Sequence, residues 1–438
     1  MIDDKKLKAL EKSYEKNQVA KALTRVLVNT TLRDIAENQT FVQNDSFNFS
    51  VEVKTQEPVN QKNSGRCWIF SGLNFLREHA AKALNAKEFE FSQNYVAFYD
   101  HLEKINFFLD SMDNFLDCHF DDRTFAFLLN RGIEDGGQWQ MFRNVVEKYG
   151  LVPKSAMPET GNSGNTGLLN SLINKSLRIY VAKARKLHAE GKDHLSLKEK
   201  TLENLYVFLA ATLGVPPKKF VFDFKDKDDK FVNLGEFTPL SFFKKVITIN
   251  LDDYVSIINS PSSDKPFYER YEIEYLASTV EGNKVTHLNV PMAEMKEAII
   301  KQLESGETVW FGSDVSFDGR SKDGIYDDRR YNYEELFGLD LTLDKGDGLL
   351  YLASAMNHAM TIVGVNLVNG KPTKWKIQNS WGTDIGAKGF FLASDSWFEK
   401  YTYQALVKKE YLSKEAQDAV SKKPRVVKPW DPMGTLAK

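Results

Sequence analysis

A cysteine placed where an apolar helix begins is the feature that most restricts this chain. In Gln61-Lys62-Asn63-Ser64-Gly65-Arg66-Cys67-Trp68-Ile69-Phe70 the thiol precedes Ile69, Phe70, Leu73 and Leu76, which recur with helical spacing. A cysteine in the first turn of a helix feels the positive end of the dipole, which lowers its pKa and raises its thiolate fraction. Gln61 stands six residues upstream, within reach if Asn63-Ser64-Gly65 turns back. Its side-chain N–H would then join the backbone N–H of Cys67 as a donor pair for a developing oxyanion. The competing reading is a buried cysteine opening a core helix, the commoner fate of a cysteine taken alone.

The second half of the chain decides between these readings. His358 opens an apolar strand in Met356-Asn357-His358-Ala359-Met360, and Asn379 follows twenty-one residues later in Gln378-Asn379-Ser380-Trp381-Gly382. A nucleophilic thiol needs an imidazole as base, and the imidazole needs a third group to hold its tautomer and orientation. An Asn carbonyl can do that, and Trp381 could shield the His–Asn bond from water. A lone histidine beside a strand is more often a core residue; the joint order Cys, His, Asn favours nucleophilic catalysis.

Composition narrows the class. The chain has 438 residues, a formal net charge of −2, 42% hydrophobic and 27% charged residues. That is enough for roughly two to three domains, and the near-neutral balance argues against nucleic acid as partner. Cys67 and Cys118 are the two cysteines, so a disulfide scaffold is excluded and a reducing compartment is expected. No basic-apolar leader and no apolar run of about 18 residues occurs, which points to a cytoplasmic protein with no membrane span. Neither His-Glu-x-x-His nor a cysteine pair at zinc spacing is present, so no metal or other cofactor is expected. Cys118-His119 reads as structural. Asp314 and Asp327-Asp328 could tune a cleft, though their spacing does not demand it.

Along the chain, residues 1–45 read as an N-terminal helical wrap. Phe47, Phe49, Val51 and Val53 then alternate as a strand. Helices are expected over 66–84, from Phe91 to Leu109, and from Gln140 to a stop at Gly150. Asp135-Gly136-Gly137-Gln138-Trp139 is a tight turn or a rail for an extended peptide. Two helices are expected over 168–213, with His188 and His194 solvent-exposed between them. Strands are read at Phe220–Phe222, Phe231-Val232, Val246–Ile249 and Tyr271–Tyr275. After the helix Met292–Leu303, strands are read at Thr308–Gly312, Met360–Val365, Trp375–Ile377, Phe390–Leu392 and Tyr401–Val407. Asn369-Gly370 marks a hairpin between two of these. From Ser421 the tail carries Pro424, Pro429 and Pro432, and no helix is expected there. The division is 1–45, then 46–160 with the nucleophile, 161–285 as inserted helical and hairpin material, 286–415 with His and Asn, and 416–438 as a C-terminal arm.

Gln61, Cys67, His358 and Asn379 make the chain resemble the papain-like cysteine peptidases. The Gly-Arg-Cys-Trp context, Asp-Gly-Gly-Gln-Trp, Gly-Lys-Pro-Thr-Lys-Trp-Lys, the long insertion and the terminal Pro-Trp-Asp-Pro-Met-Gly narrow the resemblance to the bleomycin hydrolase and aminopeptidase C family. The likeness runs across nearly the whole length and is weaker through the insertion. It implies an α+β papain-like fold, with a helical half, an antiparallel β half and an oligomerisation insert. It also implies a Cys67–His358–Asn379 triad with Gln61 at the oxyanion and a homohexamer acting on peptides. Gly136, Gly137, Trp68 and Asn357 would bind substrate. The arm, ending in Ala437 and Lys438, would lie in its own cleft, where a terminal carboxylate meets the free amine of a substrate. That arrangement gives an aminopeptidase; a displaced arm would leave an endopeptidase, and a scaffold that kept only the fold is the reading from another class. Lys438 extends past the Ala at which such tails often end, and self-trimming is expected. Gln378 replaces the Glu common before the Asn.

Overall fold

The computed structural model describes residues 1–38, 46–316 and 322–437. Its pivot is the helix Cys67–Leu84, whose N-terminal half is buried all round. Helices Gln93–Met112 and Trp139–Tyr149 pack beside it. Gly167–Ala189 and Leu195–Leu213 lie against Gln93–Met112 through Ile173, Leu177, Leu205 and Leu209. These residues join one continuous apolar core with Cys67 and Trp68, so the segment after 160 shares the core of the helical half.

The β half is a sheet of eleven strands among the described residues. In chain order these are β1 (Val51–Glu52), then, past the separate hairpin β2 (Phe220–Lys225) and β3 (Phe231–Phe237), β4 (Tyr254–Ile258), β5 (Arg270–Ile273), β6 (Thr286–Asn289), β7 (Val309–Ser313), β8 (Ile325–Tyr326), β9 (His358–Val368), β10 (Lys371–Gln378), β11 (Phe390–Ser394), β12 (Thr402–Lys408) and β13 (Arg425–Val427). The order is β13-β5-β6-β4-β12-β7-β9-β10-β11-β8, with β1 paired to β9. The run from β4 to β11 is antiparallel. Successive strand residues point to opposite faces. Trp310 and Leu406 therefore enter the core of the helical half, while Val309, Phe311, Ala405 and Val407 enter a second core under the helix Met292–Glu304.

Several expectations change in three dimensions. Val246–Ile249 is not a strand: Thr238 caps a helix over Pro239–Val246, with Pro239 at its first turn, where a missing N–H costs nothing. The strand lies further on, at β4. The helices Asp4–Lys16 and Gln18–Val26 form as read but bury no residue, so they do not wrap the core of this chain. Residues 39–45 of that expected helix lie outside the described residues. His194 is half-buried and bonded to Asp113 at 2.9 Å, where exposure was expected. The tail does form local structure: β13 and a 3-10 turn over Pro432–Ala437.

Trp310 ties the halves together. Its indole N–H donates to the Trp68 carbonyl at 3.2 Å, and its ring lies 6.1 Å from that of Trp139. Trp310→Ala is expected to cost about 3–5 kcal/mol of stability, read by denaturant unfolding; a loss below about 1 kcal/mol would show that the halves are held elsewhere.

Candidate active site

Cys67 is the first residue of its helix, at a position where backbone N–H groups have no intrahelical acceptor. Its sulfur accepts the N–H of Ala359 at 3.4 Å. Ala359 follows His358 in β9, so the fold brings the segments that carry Cys67 and His358 together across 292 residues. His358 Nε2 donates to Asn379 Oδ1 at 2.9 Å. That bond assigns the ring proton to Nε2 and leaves Nδ1 as the basic nitrogen, because a carbonyl oxygen only accepts. Asn379 is itself held by the N–H of Ser380 on Oδ1 at 2.8 Å and by donation to Tyr326 Oη at 3.2 Å. Trp381 stacks on the imidazole, 4.8 Å between centroids and 24° between planes.

Gln61 is buried and fixed at both ends of its amide. Nε2 donates to the Ser64 carbonyl at 2.6 Å, and Oε1 accepts from Ser380 Oγ at 2.5 Å. The Asn63-Ser64-Gly65 segment does fold back as the sequence reading requires, and Arg66 locks it. The fully buried guanidinium donates to both oxygens of Glu159, at 3.1 and 2.8 Å, and to Ser64 Oγ at 3.0 Å.

The electrostatics reverse one expectation. Burial pushes the Cys67 thiol up to about 11, although the N–H groups of Ala359 and Trp68 draw it down. Burial likewise pulls the His358 imidazole down to about 4 against its bond to Asn379. Removal from water outweighs the helix terminus, so each group on its own favours its neutral form.

Other expected residues take definite places. Gly136 accepts Lys104 Nζ on its carbonyl at 2.7 Å. A Cβ on Gly137 would fall 2.5 Å from the Trp68 ring, so glycine there lets backbone close onto indole. Trp68 itself has no exposed surface and donates Nε1 to the Asp135 carbonyl at 2.6 Å. Asn357 is exposed but tethered, donating to Asp314 Oδ1 at 2.7 Å and Ser316 Oγ at 2.6 Å. Asp327 is engaged by Arg329. Cys118 is half-buried and accepts from Arg185 at 3.3 Å, while His119 turns to Asp121. Ala437 is buried, and Lys438 lies outside the described residues.

A polar cluster beneath the glycine turn escaped sequence reading. Asp135 Oδ2 accepts the N–H of Gly65 at 2.7 Å and the Thr166 hydroxyl; Oδ1 accepts Asn170 Nδ2 at 2.8 Å and lies 3.4 Å from His101 Nε2. Burial alone would raise this carboxyl, but His101, Thr166 and Asn170 hold it well below the usual range. Lys104 pairs with Asp100 at 2.7 Å, so the two acids are matched by two bases. Asp135 stood inside the glycine motif; nothing in the sequence tied His101 or Asn170 to it.

A thiol at a helix terminus, next to a sheet strand that opens on a His bonded to an Asn, is the papain-like α+β arrangement. A sequence profile of the Peptidase C1-like family matches residues 1–434, and the chain belongs to that family. It is 43% identical to Aminopeptidase C of Listeria monocytogenes, covering 89% of this chain and 88% of the relative. It is 42% identical to Aminopeptidase C of Streptococcus thermophilus, over 97% and 96%. The crystal structure of PepW from Lactobacillus rhamnosis superposes with a TM-score of 0.96 at 43% identity, covering 99% of this chain and 98% of that one.

Gln378 is buried and donates Nε2 to the Gln56 carbonyl at 2.8 Å. An ionised carboxylate there could not make this bond. For the thiol, replacing His358 by Ala should slow iodoacetamide alkylation of Cys67 at pH 7. The rate should then climb steadily with pH towards about 11, as for a lone buried thiol. Mass spectrometry of the labelled peptide reads the rate; a profile levelling off near pH 7 would contradict the burial argument.

Proposed function

We propose that Cys67, His358, Asn379 and Gln61 carry out peptide hydrolysis through a thioester. The chain is a cysteine-type aminopeptidase. The observation that carries the mechanism is the Ala359 N–H on the Cys67 sulfur, with His358 already turned by Asn379 so that Nδ1 is basic. Proton transfer from thiol to imidazole would place opposite charges on neighbouring segments inside a buried site. Their attraction offsets the cost of burying either alone.

Cys67 then attacks the first peptide carbonyl. The oxyanion receives the Cys67 backbone N–H and the second N–H of the Gln61 amide, whose orientation Ser64 and Ser380 hold. Imidazolium protonates the leaving amine, and water hydrolyses the thioester. Because this machinery addresses backbone atoms, specificity for side chains is broad.

The arm supports the aminopeptidase over the endopeptidase reading. Residues Met433 to Ala437 are buried. Leu436 packs at Gly312, which pairs with Ala359 in the sheet, so the arm ends beside the candidate site. There it blocks one side of the cleft and lets a terminal carboxylate select a free amine. The unpaired cysteines support a cytoplasmic setting. The uncovered apolar positions Leu7, Leu10, Val19 and Val26 support assembly, read here as a homohexamer.

Cys67→Ala should abolish hydrolysis of peptides bearing a free amino terminus. The wild-type enzyme should leave N-acetylated peptides intact, and removal of residues 435–438 should admit them. Efficient cleavage of acetylated peptides by the full chain would establish the endopeptidase instead. Intact mass should show Lys438 missing from active enzyme and retained in Cys67→Ala; its retention in active enzyme would refute trimming.

A further inference from the structure

The helix Arg123–Arg131 runs along the arm, and three of its side chains address it. Arg123, Phe127 and Arg131 stand at i, i+4 and i+8, one stripe of a helix. The Arg123 guanidinium lies 4.0 Å over the Trp430 ring, and Phe127 meets the same ring edge-on at 5.9 Å. Seven residues further along the arm, Arg131 Nη2 donates to the Ala437 carbonyl at 2.7 Å. One helix thus grips the arm at its entry and at its end.

The base of Arg131 is rigid. Gly132 ends the helix at φ +58°, where a Cβ would fall 2.2 Å from Asn174 Oδ1. Asn174 accepts the Ile133 N–H at 2.8 Å and donates to its carbonyl at 2.9 Å. The guanidinium is half-buried, and burial, opposed only by Glu134, disfavours its charge. Its hydrogen bond goes to a neutral carbonyl. Among the described residues, a partly buried cation so placed has no contacting counter-charge.

We propose that Arg131 is the positioning residue that fixes the arm's last residue and so sets the enzyme's selectivity for a free amino terminus. In the trimmed chain the Ala437 carboxylate supplies the missing counter-charge. A carboxylate offers about four lone-pair sites, so one oxygen takes the guanidinium while the other faces the substrate's ammonium. Without Arg131 the carboxylate is no longer held at the distance that the first residue of a substrate requires. This inference rests on the aminopeptidase reading above and adds the residue that holds the arm in register.

The test uses the full-length enzyme and three variants: Arg131→Ala, Arg131→Lys and a chain lacking residues 435–438. Each is assayed on a free-amine dipeptide anilide and its N-acetylated counterpart. Arg131→Ala should raise KM for the free-amine substrate about tenfold, with a smaller change in kcat. It should narrow the preference over the acetylated substrate, and Arg131→Lys should restore part of it. Arg131→Ala placed in the tail-less chain should change neither ratio further. If the tail-less chain loses its preference but Arg131→Ala keeps it, the role of Arg131 is overturned and the arm's role stands. If the tail-less chain keeps its preference, the arm reading itself fails. Should Arg131→Ala not fold, Arg131→Lys decides: a preference equal to wild type at unchanged KM counts against the proposal.

Discussion

The N–H of Ala359 resting on the sulfur of Cys67 is the contact on which the rest of the molecule depends. It requires the helix end to meet the edge of β9 with its backbone donors pointing inward. Everything that fixes the helix against the sheet therefore serves the site. Ser71 donates to the Met360 carbonyl at 2.6 Å, and Trp310 reaches the Trp68 carbonyl. These bonds are buried, and a buried donor left unpaired costs about 1–3 kcal/mol. The halves have little freedom to shift without breaking several at once.

The loop that presents the thiol is held from below by charge. Arg66 and Glu159 grip its near side; Asp135 takes the Gly65 N–H from the far side, with His101, Asn170 and Thr166 around it. Both ring nitrogens of His101 face acceptors, Ala97 O at 2.8 Å and Asn170 Oδ1 at 2.9 Å, which favours the doubly protonated ring. Such a network stabilises little in net terms because desolvation offsets most of its attraction. What it confers is a single geometry: the turn cannot relax without stranding charge in the interior.

The arm shows the same economy of parts. It contributes a parallel strand to the sheet edge through β13, then buries its last residues between the helical half and β7. A short segment with three prolines has little conformational entropy to lose. It can therefore be held by a few contacts, chiefly Trp430 between Arg123 and Phe127, and Asp431 at 3.1 Å from Lys265.

Local chemistry was legible in the sequence. The helix behind Cys67, the hairpin at Asn369-Gly370, and the order of Gln61, Cys67, His358 and Asn379 all follow from spacing and residue type, because periodicity and turn chemistry act over a few residues. The same local rules misread Val246–Ile249, where the cap at Thr238 and Pro239 sets the helix. By itself the sequence singled out the candidate side chains, Gln61, Cys67, His358 and Asn379, and the segments that carry them. Only the tertiary structure decided that burial raises the Cys67 thiol and lowers the His358 imidazole, that Asp135 braces the loop, and that Arg131 meets the arm. Burial and contact between segments hundreds of residues apart are properties of the packed chain, and no local pattern of residues encodes them.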